Sequence, residues 1–142
     1  MKASESKFCK CMYFSSNALA RKIEKLAQDS WKEVGLSPSH AYLLMLAIET
    51  PGIQPGLLAE QLLLTPSTIT RLIEKLEEKK LVVRATEGKT TNVFPSAKGK
   101  QLLPQLIKCR DKFYQNYSAV LGREDSARLV QSMNLITDKL RT

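Results

Sequence analysis

Residues 58–84 read LAEQLLLTPSTITRLIEKLEEKKLVVR, and the fold turns on how this stretch is read. An apolar run stops at Thr65–Pro66, gives way to small polar residues, and resumes on a helical period. Threonine is a favoured N-cap, and proline suits the first helical position, where its missing N–H would have had no partner anyway. At about 100° per residue, Leu72, Ile73 and Leu76 fall within roughly 60° of Ile69 and form one narrow apolar stripe. Ser67 and Arg71 fall opposite, Thr68 and Thr70 lie on the flanks, and Lys75 follows. A helix that only packed into a core would not need this polar first turn. Small hydroxyls let a backbone approach a groove and can bond phosphates or base edges. Arginine can grip guanine O6 and N7 with two bonds. The helix N-terminus adds free N–H groups and partial positive charge. Glu74, Glu77 and Glu78 come later, away from a duplex entered by the N-terminal turns. An ordinary capped amphipathic helix has the same pattern, so the neighbouring elements decide.

Upstream, TPGIQPG is a double proline–glycine break, followed by a short helix from Leu57 to Leu63 or Leu64. Before it, Ser37–Pro38 repeats the cap-and-proline device and opens SHAYLLMLAIE, a helix apolar on most sides and expected to be buried. Downstream, LVVRATEGKTTNVF changes period and predicts a β-hairpin with Glu87–Gly88 at its middle. Arg84 lies on its first strand and Lys89 just past the turn. A cation at such a tip can enter the narrow, electronegative minor groove, or can simply be solvated. Helices followed by a hairpin over residues 37–95 outline a winged helix-turn-helix, which moves the reading toward double-stranded DNA.

The flanks read as helices. One runs from about Ser6 to Val34 and stops at Gly35. A second is capped by Ser96, bent at Pro104 and ended by Gly122, and a last one runs from about Glu124 to Leu140. The expected fold is mainly α with a small β-hairpin wing. It divides into an N-terminal helix (1–36), the winged helix-turn-helix (37–95) and C-terminal helices (96–142), all in one structural unit.

The bulk numbers agree. A chain of 142 residues suits one domain with a core. A net charge of +8 suits a polyanionic partner, although the excess is spread along the chain and marks no surface. No apolar run approaches the roughly 18–20 residues of a membrane span. The opening MKASESKFCKCMYF lacks a signal-peptide block, so a cytoplasmic protein is expected. Three cysteines without zinc-finger spacing predict reduced thiols, and a single histidine excludes a His-rich metal site. No metal or cofactor is expected. The chain has no Walker A sequence, no dinucleotide-binding glycine pattern, no H-E-x-x-H, and no histidine beyond His40 to serve a nucleophile, which argues against an enzyme.

LSPSHAYLLMLAIETPGIQPGLLAEQLLLTPSTITRLIEKLEEKKLVVR, followed by FPSAKGKQLLPQL, resembles the MarR family of transcription regulators over most of the chain. The resemblance implies a homodimer interlocked through its terminal helices, with two winged lobes on successive major grooves of a near-palindromic operator. It implies repression as the usual outcome. It assigns the DNA surface to Ser67, Thr68, Thr70, Arg71, Lys75 and Arg84. The wing departs from the family pattern. It is about three residues shorter and lacks the usual Asp and Arg, which leaves Lys89 as the substitute. Lys80 stands where the family often has glycine. Such regulators are often released from DNA by a small aromatic or anionic effector, for which Trp31, His40 and Tyr42 are candidates; core and rim roles are the alternative. One branch of the family senses peroxides through a cysteine near the start of its first helix, close to Cys9 and Cys11. Two residues apart on a helix diverge by about 200°, so at most one of these thiols could point inward. A non-specific winged-helix module that binds DNA or protein is the remaining alternative.

Overall fold

The computed structural model describes residues 1–140. Arg141 and Thr142, the end of the expected C-terminal segment, lie outside the described residues. The described residues form seven α-helices and one two-stranded sheet. In chain order these are α1 (Met12–Trp31), α2 (Pro38–Glu49), α3 (Pro55–Leu62), α4 (Pro66–Glu78), β1 (Val82–Glu87), β2 (Thr90–Pro95), α5 (Ala97–Gln101), α6 (Leu103–Leu121) and α7 (Arg123–Lys139). The fold is mainly α with a small hairpin, the winged arrangement expected from the sequence. No described helix is long and apolar enough to cross a membrane.

The backbone groups into two compact units, Gln28–Cys109 and Met1–Ala27 with Arg110–Thr142. In the first, α2 supplies a buried face of Ala41, Leu43, Leu44 and Ala47, and α3 adds Leu58. The stripe of α4, Ile69, Leu72, Ile73 and Leu76, is buried throughout. Each such side chain contributes about 1.5–3 kcal/mol by leaving water, more than any cap or surface ion pair. Ser37 and Thr65 cap α2 and α4, accepting the backbone N–H groups of His40 and Thr68.

Helices α3 and α4 end alike. The N–H of Leu63 reaches the carbonyl of Glu60 and that of Leu64 reaches Ala59; Lys80 reaches Glu77 and Leu81 reaches Leu76 in the same way. This is the helix stop that places one residue in the left-handed region, usually a glycine. Here that residue is Leu63 (φ 53°) in one helix and Lys80 (φ 62°) in the other.

β1 and β2 pair antiparallel from Val82↔Pro95 to Glu87↔Thr90. The turn is therefore Gly88–Lys89, one residue later than the expected Glu87–Gly88, and Lys89 is in the tip itself. Gly88 at φ 62° supplies the positive φ that a two-residue hairpin turn needs first. The Val93 N–H donates to the Ile53 carbonyl and the Gly52 N–H donates to the Val93 carbonyl, so the hairpin is stitched to the loop after α2.

Two further expectations need correction. The helix expected from Ser6 starts at Met12, preceded by a short 3-10 turn (Ala3–Glu5). Cys9 and Cys11 are outside it, and their helical divergence does not apply. The helix expected from Ser96 to Gly122 is two helices, α5 and α6, separated at Leu102. Pro104 has no N–H for the carbonyl four residues back, so the chain restarts with proline in the first turn of α6.

In the second unit, Leu19 and Ile23 of α1, Phe113 and Tyr117 of α6, and Leu129 and Met133 of α7 line an apolar groove of about 140 Å³. Leu129, Val130, Met133, Leu135, Ile136 and Leu140 all remain exposed along α7 and its end.

Candidate nucleic-acid interface

Burial of the α4 stripe turns the opposite face outward. Ser67, Thr70, Arg71 and Lys75 are exposed, and Thr68 is half-buried. The first turn is knitted by hydroxyls. Thr65 Oγ1 lies 3.2 Å from Ser67 Oγ and 3.0 Å from Thr68 Oγ1. Thr70 Oγ1 donates to the Pro66 carbonyl at 3.0 Å, leaving its lone pairs to accept from outside. The surface therefore has fixed acceptors near the helix start. Arg71, one turn further, makes no hydrogen bond or ion pair within the described residues. Lys75 lies 3.6 Å from Glu78 in an exposed i,i+3 pair, too loose to hold it away from a phosphate.

The wing differs from its sequence reading in one respect. Lys89 is exposed at the tip, but Arg84 is engaged: its guanidinium lies 2.7 Å from Glu77 Oε1 on α4. Sequence reasoning missed Glu77, which it set aside as an acid pointing away from the duplex. The pair spans a helix stop and a strand start, and no periodicity relates the two.

At the exit of α4, Ser96 Oγ donates to the Lys80 carbonyl (2.7 Å) and accepts from the Gly99 N–H (3.0 Å). A Cβ on Gly99 would sit 2.2 Å from the Leu81 carbonyl oxygen, so only glycine lets α5 approach this closely. Lys98 Nζ donates to the Lys79 carbonyl at 3.2 Å. The base of α4 is thus fixed by the segment that follows the wing.

The effector candidates are brought together in part. Trp31 is fully buried, and its ring meets Tyr42 edge-on with centroids 5.7 Å apart. Trp31 Nε1 is buried without a hydrogen-bond partner among the described residues. His40 is occupied locally, with Nδ1 2.5 Å from Ser37 Oγ. Partial burial, then the charges of Lys79 and Lys75, hold its pKa below the ordinary histidine value. Cys9 is half-buried, Cys11 exposed and Cys109 buried, and none of the three is in a disulfide. Among the described residues no cluster of His, Cys, Asp or Glu could hold a metal.

A helix pair closed by a short turn, an outward second helix with an open cationic face, and a hairpin behind it define a winged helix-turn-helix protein. Residues 34–90, two fifths of the chain, match the MarR family. An uncharacterised HTH-type transcriptional regulator of Bacillus subtilis, YybA, is 29% identical over 91 residues, which are 62% of this chain and 61% of that protein. The chain thus spans about three fifths of that relative's length. Among solved structures, the transcriptional repressor CouR bound to p-coumaroyl-CoA superposes with a TM-score of 0.83 at 17% identity, over 96% of this chain and 98% of that one. The MepR–DNA complex of S. aureus superposes with a TM-score of 0.77 at 16% identity, over 91% of this chain and 98% of that one. A MarR-family regulator from Listeria monocytogenes complexed with a 26mer DNA gives 0.72 at 21% identity, over 91% and 88%. At these identities the structural likenesses establish the fold.

Proposed function

We propose that the chain binds double-stranded DNA sequence-specifically as a homodimer and represses transcription from a pseudo-palindromic operator. The observation that carries this reading is α4: its apolar stripe is wholly buried while Ser67, Thr70 and Arg71 face outward with Arg71 unpaired. Arg71 reads a base edge; Ser67, Thr68 and Thr70 fix the approach of the helix; Lys75 and Lys89 meet the backbone or the minor groove. The exposed apolar residues of α7 support a second copy as the occupant of that surface, since a monomer gains nothing by leaving them in water. MepR and the Listeria regulator were solved on DNA, and CouR is called a repressor. The protein acts where the DNA is, in the cytoplasm.

A small aromatic or anionic effector is the second element of the proposal. The buried, unpartnered Trp31 Nε1 beside Tyr42 favours it, because an acceptor on a ligand would satisfy that donor. CouR was solved with p-coumaroyl-CoA, an aromatic acyl thioester. Trp31 is the single tryptophan, so its fluorescence reports occupancy directly.

The test is selection of bound duplexes from a random pool, followed by titration of the selected and unselected duplexes. A specific reader holds an affinity ratio of ~10³ or more. A ratio near one overturns the reading in favour of a non-specific module.

A further inference from the structure

We propose that Arg84 is a positioning residue of the wing and not a DNA contact: its pairing with Glu77 fixes the hairpin's angle to α4. This inference rests on the proposed DNA-binding function.

Three observations carry it. Side chains two apart on a strand share a face. Val82, two before Arg84, is buried, whereas Val83 between them is half-exposed, so Arg84 lies on the inward face of β1. The guanidinium meets Glu77 at 2.7 Å, with both side chains only about a third exposed, at 37% and 30%. The other cations of the interface differ: Arg71 and Lys89 have no partner among the described residues, and Lys75 is held only at 3.6 Å. A paired guanidinium presents a neutral couple to a phosphate and releases no counterion of its own. What the couple can do is mechanical. Glu77 is in the last turn of α4 and Arg84 is the third residue of β1, with the left-handed Lys80 between them. The pair therefore closes a bracket over the connection between α4 and the wing. A short wing without a long basic tip depends on its angle to place Lys89.

Three variants test this: Glu77→Gln, Arg84→Gln, and the exchange Glu77→Arg with Arg84→Glu. Each is titrated against the parent's selected duplex over a salt series, and hydrogen exchange of the wing amides is followed in the free protein. Both single variants are expected to weaken binding roughly tenfold with an unchanged salt slope. Both should speed exchange in β1 and β2, and the exchange variant should recover both readouts. The proposal is overturned if Glu77→Gln binds as well as the parent while Arg84→Gln flattens the salt slope by about one phosphate, which is the signature of a direct contact. It is equally overturned if wing exchange is the same in all four proteins. Should the parent itself select no duplex, the DNA-binding reading fails, and the exchange rates alone still decide whether the bracket exists.

Discussion

Arg71 and Ile73 sit two residues apart on one helix and are expected to fail in opposite ways. Ile73 is buried, so Ile73→Ala should cost ~2–5 kcal/mol of stability, seen as a lower denaturant midpoint. Arg71 is exposed and makes no hydrogen bond or ion pair among the described residues, so Arg71→Ala should leave stability within about 0.5 kcal/mol. Its loss should appear in binding instead, at ~1–3 kcal/mol, with relaxed preference at one base position. Equal binding by Arg71→Ala and the parent would remove the central residue of the proposed function. Lys80 is a residue-scale anomaly of another kind. At φ 62° it holds a conformation that costs an L-residue about 1–2 kcal/mol. Lys80→Gly should therefore raise stability by about 0.5–1 kcal/mol after glycine's larger entropy loss is subtracted. An unchanged or lower midpoint would show that the lysine side chain contributes something the backbone does not reveal. His40 sets a pH dependence. Its folded pKa is lowered below 6.5, so the unfolded chain binds the proton more readily. Its contribution is in place above 6.5 and is lost as pH falls through the folded value. The parent should lose midpoint relative to His40→Gln as pH falls below 6.5, and parallel profiles would contradict this.

At the scale of elements, the sequence was most legible where one signal had one meaning. Caps followed by proline marked the starts of α2 and α4, and the apolar stripe of α4 was buried residue for residue. It was least legible where tertiary geometry decides. Pro104 signalled a disturbance in the long helix, but a bend and a restart carry the same residue, and the restart is what occurs. The sequence pattern places the start of α1 too early because Phe8 fits a helical period even though the backbone around it turns. The hairpin turn moved by one residue because Glu87–Gly88 and Gly88–Lys89 both contain the glycine, and only the strand register separates them. The Arg84–Glu77 pair could not be read at all, since it depends on how a strand leaves a helix. The approach of α5 to that exit gives an element-scale prediction. Gly99→Ala would drive a Cβ to 2.2 Å from the Leu81 carbonyl, so backbone must shift. The expected cost is ~1–3 kcal/mol with weaker DNA binding, because α5 braces the base of α4. A neutral result would mean that the helices separate without consequence.

At the scale of the whole molecule, the chain carries more apolar surface on its terminal helices than a monomer has reason to expose. Met133 and Ile136 are 40% and 47% exposed on α7. Ile136→Asp is expected to shift sedimentation from dimer to monomer and to weaken operator binding steeply, since each half-site would then be bound alone. A parent that sediments as a monomer at micromolar concentration would contradict the homodimer. The claim on which the remaining predictions depend is that the outward face of α4 enters a major groove. Methylation interference on the selected duplex tests this most directly, because guanine N7 lies on the major-groove edge. The expected result is loss of binding on N7 methylation at two clusters about one helical turn apart, with one guanine in each cluster released from interference by Arg71→Ala. Binding that is indifferent to N7 methylation at every guanine of the selected site would contradict it.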